Sequence, residues 1–180
     1  MTHPIDEPRS PLQSEVTVSE LMMPHQVNNH GNVFGGVLLS MVDRAAGVSA
    51  MRHSGRPCVT VSIDKVDFKE PIFTGELVTC KARVNYVGRT SMEIGVRVEA
   101  ENLLTGTKRH TNTCLLTFVA IDADHRPVAV QAGRDRLGHD RRVGPAGQRV
   151  EKGDLLVELD ALLASDELDR LTPGRTPLWL

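Results

Sequence analysis

Between Gly36 and His53 the apolar residues Val37, Leu38, Leu39, Met41, Val42, Ala45, Ala46, Val48, Ala50 and Met51 cover nearly the whole circumference of a helix. A helix that is apolar on every side has to be enclosed by other structure rather than laid on a surface. The same stretch contains Asp43 and Arg44 and is shorter than a bilayer requires, so it reads as a buried helix and not a membrane span. Ser54-Gly55 and Pro57 end it.

What encloses the helix is written in the following residues. No proline occurs between Ile72 and Arg126, so a sheet can run there without interruption. Val78, Cys80, Ala82, Val84 and Tyr86 alternate with Thr79, Lys81, Arg83 and Asn85, the period-2 pattern of a half-buried strand. Met92, Ile94, Val96, Val98 and Ala100 repeat it after the Gly88-Arg89-Thr90 turn. His110 to Ile121, beyond the Thr105-Gly106 turn, is apolar on both faces toward its end and suits a central strand covered on both sides. Cys58 to Lys69 places Val59, Val61 and Ile63 on one face and then changes phase to Val66 and Phe68, which predicts a bulge near Lys65. Glu15 to Met22 alternates around Val16 and Val18 as a first strand, and the Asn- and Gly-rich residues 24–36 form a loop. Tight turns imply antiparallel pairing. A strand, a buried helix and four antiparallel strands make an α+β architecture in which the sheet wraps one long helix, the hotdog arrangement.

Residues 15–130 are read as this domain. Residues 1–14, with Pro4, Pro8 and Pro11, read as a flexible leader. Residues 131–180 read as a linker followed by a short helical tail. Gln131 to Arg149 carries five arginines and four glycines without periodicity, while Leu155, Leu156, Leu159, Leu162 and Leu163 form one apolar stripe that Asp154 could cap.

Composition removes several function classes. A net charge of −2 gives no global attraction to nucleic acid or to an anionic membrane, and 3% aromatic residues are too few for base-stacking platforms. Cys58, Cys80 and Cys114 are widely spaced and form no CxxC pair, which argues against zinc ribbons and disulfide scaffolds. The start of the chain has no secretory h-region, so a cytoplasmic protein is expected. HExxH, GxSxG and GxGxxG are all missing, and no metal site is expected.

Four features could carry chemistry. Asp43 shares a helix face with Leu39, Ala46 and Ala50, where a lone carboxylate must be paired, exposed at a subunit edge or functional. Lys65 and Arg97 are its available cationic partners; the functional alternative is a general base or nucleophile. Gly35-Gly36 stands where a helix begins, and its backbone N–H groups are free donors that could hold an oxyanion, unless the glycines serve only a turn with positive φ. Asn28, in an Asn-Asn-His-Gly turn, has an amide able to orient water or a carbonyl, or simply to stabilise the turn. Arg89, Thr90 and Ser91 cluster donors at a hairpin and, with Lys65, could meet phosphates, although a solvated turn has the same composition.

Taken in order, Met23-Pro24, Asn28, Gly31, Asn32, Phe34-Gly35-Gly36 and Asp43 resemble the signature of the acyl-CoA thioesterases, a hotdog family that includes the brain cytosolic acyl-CoA hydrolase and bacterial relatives. The stretches 59–68, 88–92 and 116–120 are also similar to that family. The resemblance implies hydrolysis of acyl-CoA to a free acid and CoA without a cofactor, coenzyme A being part of substrate and product. It implies Asp43 as base or nucleophile, Asn28 positioning water or thioester, a backbone N–H near Gly36 as oxyanion donor, and Gly35, Lys65, Arg89, Thr90 and Ser91 contacting substrate. It further implies a site formed between two chains of a homodimer, with dimers assembling into a hexamer, and no nucleic-acid or membrane partner. From another class, an acyl-CoA-binding regulator without turnover would share the fold. A hotdog dehydratase, which resembles its relatives in using a helix or loop His, is disfavoured because Gly36 to Met51 contains none.

Overall fold

The apolar helix and the alternating strands fold as those patterns require, in a computed structural model that describes residues 10–66 and 68–131 without the side chains of Pro11 and Lys65. Strand β1 (Val16–Leu21) is followed by helix α1 (Gly35–Ser54) and then by β2 (Cys58–Val66), β3 (Glu76–Val87), β4 (Ser91–Asn102) and β5 (Thr107–Ala120). The five strands form one antiparallel sheet in the order β1-β3-β4-β5-β2. Residues 1–9 of the leader and residues 132–180 of the linker and tail fall outside the described residues. Residues 10–14, also assigned to the leader, are structured: Pro11–Ser14 is a 3-10 turn, and the fully buried Ser14 hydroxyl accepts the Val84 N–H at 3.0 Å.

Helix α1 lies on the sheet through Leu38, Met41, Val42, Ala45, Ala46 and Ala50, all at most 2% exposed. The small residues in its second half bring its axis close to the strands, where Val78, Cys80, Ala82 and Val84 of β3, alternating as expected, complete the core. Gly55 ends the helix in the left-handed conformation, φ 66°, which glycine adopts without a Cβ clash. One expectation from the sequence needs correction. The sheet wraps only part of α1, and Val48 and Met51 remain 38% and 44% exposed, so in a single chain the helix is not enclosed on every side.

Bulges curl the sheet. β2 shifts register against β5 between Thr60 and Ser62 and again between Ile63 and Val66, the second shift at the predicted place near Lys65. The first shift was not predicted, and it alters which side chains share a face. Thr60 stands opposite Phe118 and Ile63 opposite Leu116, while Val59 stands opposite Val119. Val59 and Ile63 are therefore on different faces. Further shifts set Asn85 on β3 and Thr111 on β5 apart from the ladder. β5 has β4 on one side and β2 on the other, and Leu115, Leu116 and Phe118 are buried there. No helix among the described residues is long and apolar enough to cross a membrane.

Candidate functional site

The loop before α1 is shaped by Asn28. Its backbone N–H donates to the Asn32 carbonyl at 2.7 Å, and its own carbonyl accepts the Gly31 N–H at 3.0 Å. Gly31 closes this turn at φ 80°. The side-chain Oδ1 accepts from the N–H groups of His30 (2.8 Å) and Asn32 (3.3 Å). With the oxygen occupied by two donors, the amide nitrogen is the end left to face outward, as a donor. The structural and functional readings of Asn28 thus coexist in one side chain.

The same loop delivers the helix start. Phe34 donates its N–H back to the Gln26 carbonyl at 2.8 Å and stands at the N-cap position, where it supplies no side-chain cap. The first-turn bonds run from Val37 and Leu38 to the Phe34 carbonyl, which leaves the Gly35 and Gly36 N–H groups without a backbone acceptor among the described residues. Neither glycine has a positive φ. Their smallness is needed for close approach: a Cβ on Gly36 would lie 2.5 Å from the Phe34 ring, and one on Gly35 would lie 3.3 Å from the Phe68 ring.

Next to these donors is a cavity of about 310 Å³ lined by Asn28, Asn32, Gly35, Leu38 and the irregular segment Phe68–Ile72. It lies in the size range of small-molecule sites. The Ile72 carbonyl accepts the Val33 N–H at 2.7 Å, and Asn32 bridges to Phe73, so the segment is fastened to the Asn28 loop.

Asp43 is elsewhere. Seven residues beyond Gly36, it is about 10 Å farther along the helix axis. It is half-buried, and its Oδ1 accepts a hydrogen bond of 2.7 Å from the Thr60 hydroxyl. Neither residue lines the cavity. The expected ion pair is not what holds Asp43: Arg97 pairs with Glu99 at 2.9 Å, and the Lys65 side chain lies outside the described residues. Thr60 is the functional candidate that the sequence reading missed. The alternation of Val59, Val61 and Ile63 made it look solvent-facing, and only the bulge after it turns it toward α1.

Arg89, Thr90 and Ser91 sit at the β3–β4 turn, docked by bonds from Val130 N–H to the Arg89 carbonyl and from Ala120 N–H to the Thr90 carbonyl, both 3.0 Å. Strand β3 has 12 residues, which puts this turn roughly 35 Å from the end of the sheet that carries the cavity. Within one chain Arg89, Thr90 and Ser91 therefore do not meet Asn28. Cys80 and Cys114 pack in the buried core, and Cys58 lies against it. Burial pushes the Cys80 thiol up to about 12 and the Cys114 thiol up to about 11, so neither is a thiolate at neutral pH. Burial also raises the half-buried Cys58, against a lowering hydrogen bond with Ser54.

Comparison with known proteins shows which family the chain is similar to. The model of the thioesterase superfamily matches residues 30–107. An uncharacterized acyl-CoA thioester hydrolase of Bacillus subtilis is 42% identical over 151 residues, which is 81% of this chain and 88% of that protein. The crystal structure of an apo-hexameric acyl-CoA thioesterase is 30% identical, with a TM-score of 0.71 over 93% of this chain and 99% of that one. An acyl-CoA hydrolase of Staphylococcus aureus, solved with butyryl coenzyme A, coenzyme A and coenzyme A disulfide, is 26% identical with a TM-score of 0.69, over 92% of this chain and 98% of its own. That hydrolase has also been solved with an aspartate, a threonine and an asparagine each replaced by alanine, the last in complex with coenzyme A.

Proposed function

This chain belongs to the acyl-CoA thioester hydrolases of the thioesterase superfamily, and on that premise we propose that it hydrolyses acyl-CoA at sites completed between two of its copies. The observation that carries the shared site is the separation just described. Asn28 and Gly35 line the cavity, with Gly36 next in the helix start, while the Asp43–Thr60 pair sits about 10 Å along the helix, at the edge strand β2.

A second copy supplies what one copy lacks. β2 is an edge strand on which Val61 is 60% exposed, and Val48 and Met51 of α1 are also exposed apolar residues. Pairing two β2 strands antiparallel about a two-fold axis sets the start of one strand beside the end of the other. Thr60 near the start of β2 then approaches the Phe68–Ile72 segment that follows the partner's β2, and with it the partner's cavity. The same operation carries Arg89, Thr90 and Ser91 toward the partner's cavity end, where they and Lys65 would meet the phosphates of CoA.

In the completed site the thioester carbonyl points at the Gly35 and Gly36 N–H groups, with the Asn28 amide donating beside them. Asp43 takes a proton from water as the water oxygen bonds to the thioester carbon. The carbonyl oxygen gains negative charge and is held by the helix-start donors, an arrangement whose single donors contribute about 3–4 kcal/mol in a well-studied case. Collapse of this intermediate breaks the C–S bond, Asp43 returns its proton to the departing sulfur, and CoA and the free acid are released. Thr60, donating to Oδ1, leaves Oδ2 of Asp43 for the water. Water is the only co-reactant this scheme uses. Three free thiols fit a reducing compartment and support a cytoplasmic location. The hexamer of the 30%-identical thioesterase supports assembly of such dimers into a hexamer.

The test is complementation. Asp43→Ala and Asn28→Ala are each expected to lower kcat on short-, medium- and long-chain acyl-CoAs by about 10²–10⁴-fold. When the two inactive variants are unfolded together and refolded, half of the dimers are mixed and one site in each is whole, so about a quarter of wild-type activity returns. Recovery at the level of the separate variants would refute the shared site. Acyl-CoA binding without turnover in the wild type would replace the hydrolase by a binding regulator.

A further inference from the structure

The cavity wall Phe68–Ile72 belongs to no strand or helix, yet it carries the ring that lies over Gly35 and the carbonyl that receives the Val33 N–H. What fixes its outer side is one short part of β5. Thr111 is the residue set out of register between β4 and β5, and its carbonyl accepts the Lys69 N–H at 3.0 Å. Two residues earlier, Arg109 spreads its guanidinium over the rest. Nη2 donates to the Pro71 carbonyl at 2.7 Å, Nε meets the Glu70 carboxylate at 3.2 Å, and Nη1 and Nη2 each donate to the Glu76 carboxylate at 2.6 Å. The Arg109 Cζ also lies 5.7 Å from the Phe73 ring centroid, within cation–π range. Glu76 in turn accepts the Phe73 N–H at 2.9 Å.

We propose that Arg109 is a positioning residue for thioester hydrolysis, holding the Phe68–Phe73 wall against the Asn28 loop and the start of α1. The proposal rests on the hydrolase reading above and extends it to a residue that touches neither Asn28 nor the helix. Only a guanidinium satisfies all these acceptors. Its planar fork takes both oxygens of Glu76 while its other N–H groups reach the loop carbonyl and Glu70, which one ammonium cannot do. Glu76 is 5% exposed and anchors the fork from the first residue of β3, so the wall is referenced to the rigid sheet. If the wall drifts, the Phe68 ring leaves Gly35 and the Ile72 carbonyl draws on the loop that presents Asn28. A wall that is no longer held in its binding geometry weakens the hold on acyl-CoA, because its ordering must then be supplied when the substrate binds.

Steady-state kinetics and peptide-resolved hydrogen exchange of the full-length chain test this together. Arg109→Gln should raise KM for acyl-CoA about tenfold while kcat changes less than about threefold, the pattern of lost binding rather than lost chemistry. Exchange should accelerate in peptides spanning 68–73 and stay unchanged in those of α1 and β4. Arg109→Lys should recover only part of both effects. Glu70→Gln, which leaves the Glu76 pair intact, should shift the same two readouts in the same direction by less, and it carries the test if Arg109→Gln does not fold. Unchanged KM and unchanged exchange over 68–73, in whichever variants fold, overturn the proposal, as does uniform acceleration across the sheet. A wild type that turns over no acyl-CoA would instead sink the hydrolase reading, with faster exchange over 68–73 still upholding the clamp.

Discussion

Asp43 and Asn28 each use one polar atom to stay in place and leave another for a ligand. The Thr60 hydroxyl is spent on Asp43 Oδ1, and Asn28 Oδ1 is spent on two backbone N–H groups of its own turn. A hydroxyl that orients a base acts on the rate and not on substrate affinity. Thr60→Val is therefore expected to lower kcat about 10–100-fold with KM nearly unchanged, and Thr60→Ser to restore most of it, in steady-state assays on acyl-CoA. A KM effect alone would make Thr60 a binding residue. At this scale the sequence was legible for Asn28, Asp43, Gly35 and Gly36, because each stands in an ordered spacing around a helix start. Thr60 was not. Its role depends on a one-residue shift in strand pairing, and such a shift moves a side chain from one face of a sheet to the other without leaving any sign in composition.

Strands β3 and β4 hold two carboxylates whose titration is coupled to folding. Burial alone would raise Glu76, but hydrogen bonds from Arg109 and from Phe73 N–H, with the charge of Arg109, hold it below the ordinary carboxylate value. Glu99 is likewise penalised by burial and lowered overall by Lys81 and Arg97, at 2.7 and 2.9 Å. Both folded values lie below the unfolded value of about 4.3, so in and below that range the unfolded chain binds more protons than the folded one. The stabilisation from these pairs is complete above that value and is lost as pH falls through the lower folded values. Thermal midpoints measured from pH 7 down to 3 should fall steeply below about pH 4.5. Glu99→Gln should lower the midpoint at pH 7, at a cost of about 1–2 kcal/mol, and should flatten the acid limb. An unchanged acid limb would show that these carboxylates do not couple to folding. The elements themselves could be read from the chain: α1 from its apolar circumference, and β3 and β4 from strict alternation. The clamp at the foot of β3 could not, since it joins Glu76 to Arg109 from 33 residues away.

The described residues expose Val48 and Met51 on α1 and Val61 on the edge strand β2, and the shared site predicts what covers them. Val61→Asp puts a charge on the edge where a second β2 would pair, which should yield monomers by mass measurement. Activity should fall to background while the thermal midpoint of the isolated chain moves little, since Val61 is already exposed. An active Val61→Asp monomer would refute the shared site. By itself the sequence determined that one apolar helix must be enclosed by an antiparallel sheet, and which loop and helix start would carry donors. Those features follow from periodicity and local spacing, which act within a few residues. Tertiary structure alone decided that the sheet covers only part of the helix, that Thr60 rather than a cation meets Asp43, and that Arg109 holds the cavity wall. Each of these depends on bulges and cross-strand register, which bring together residues far apart in the chain by geometry that no local pattern records.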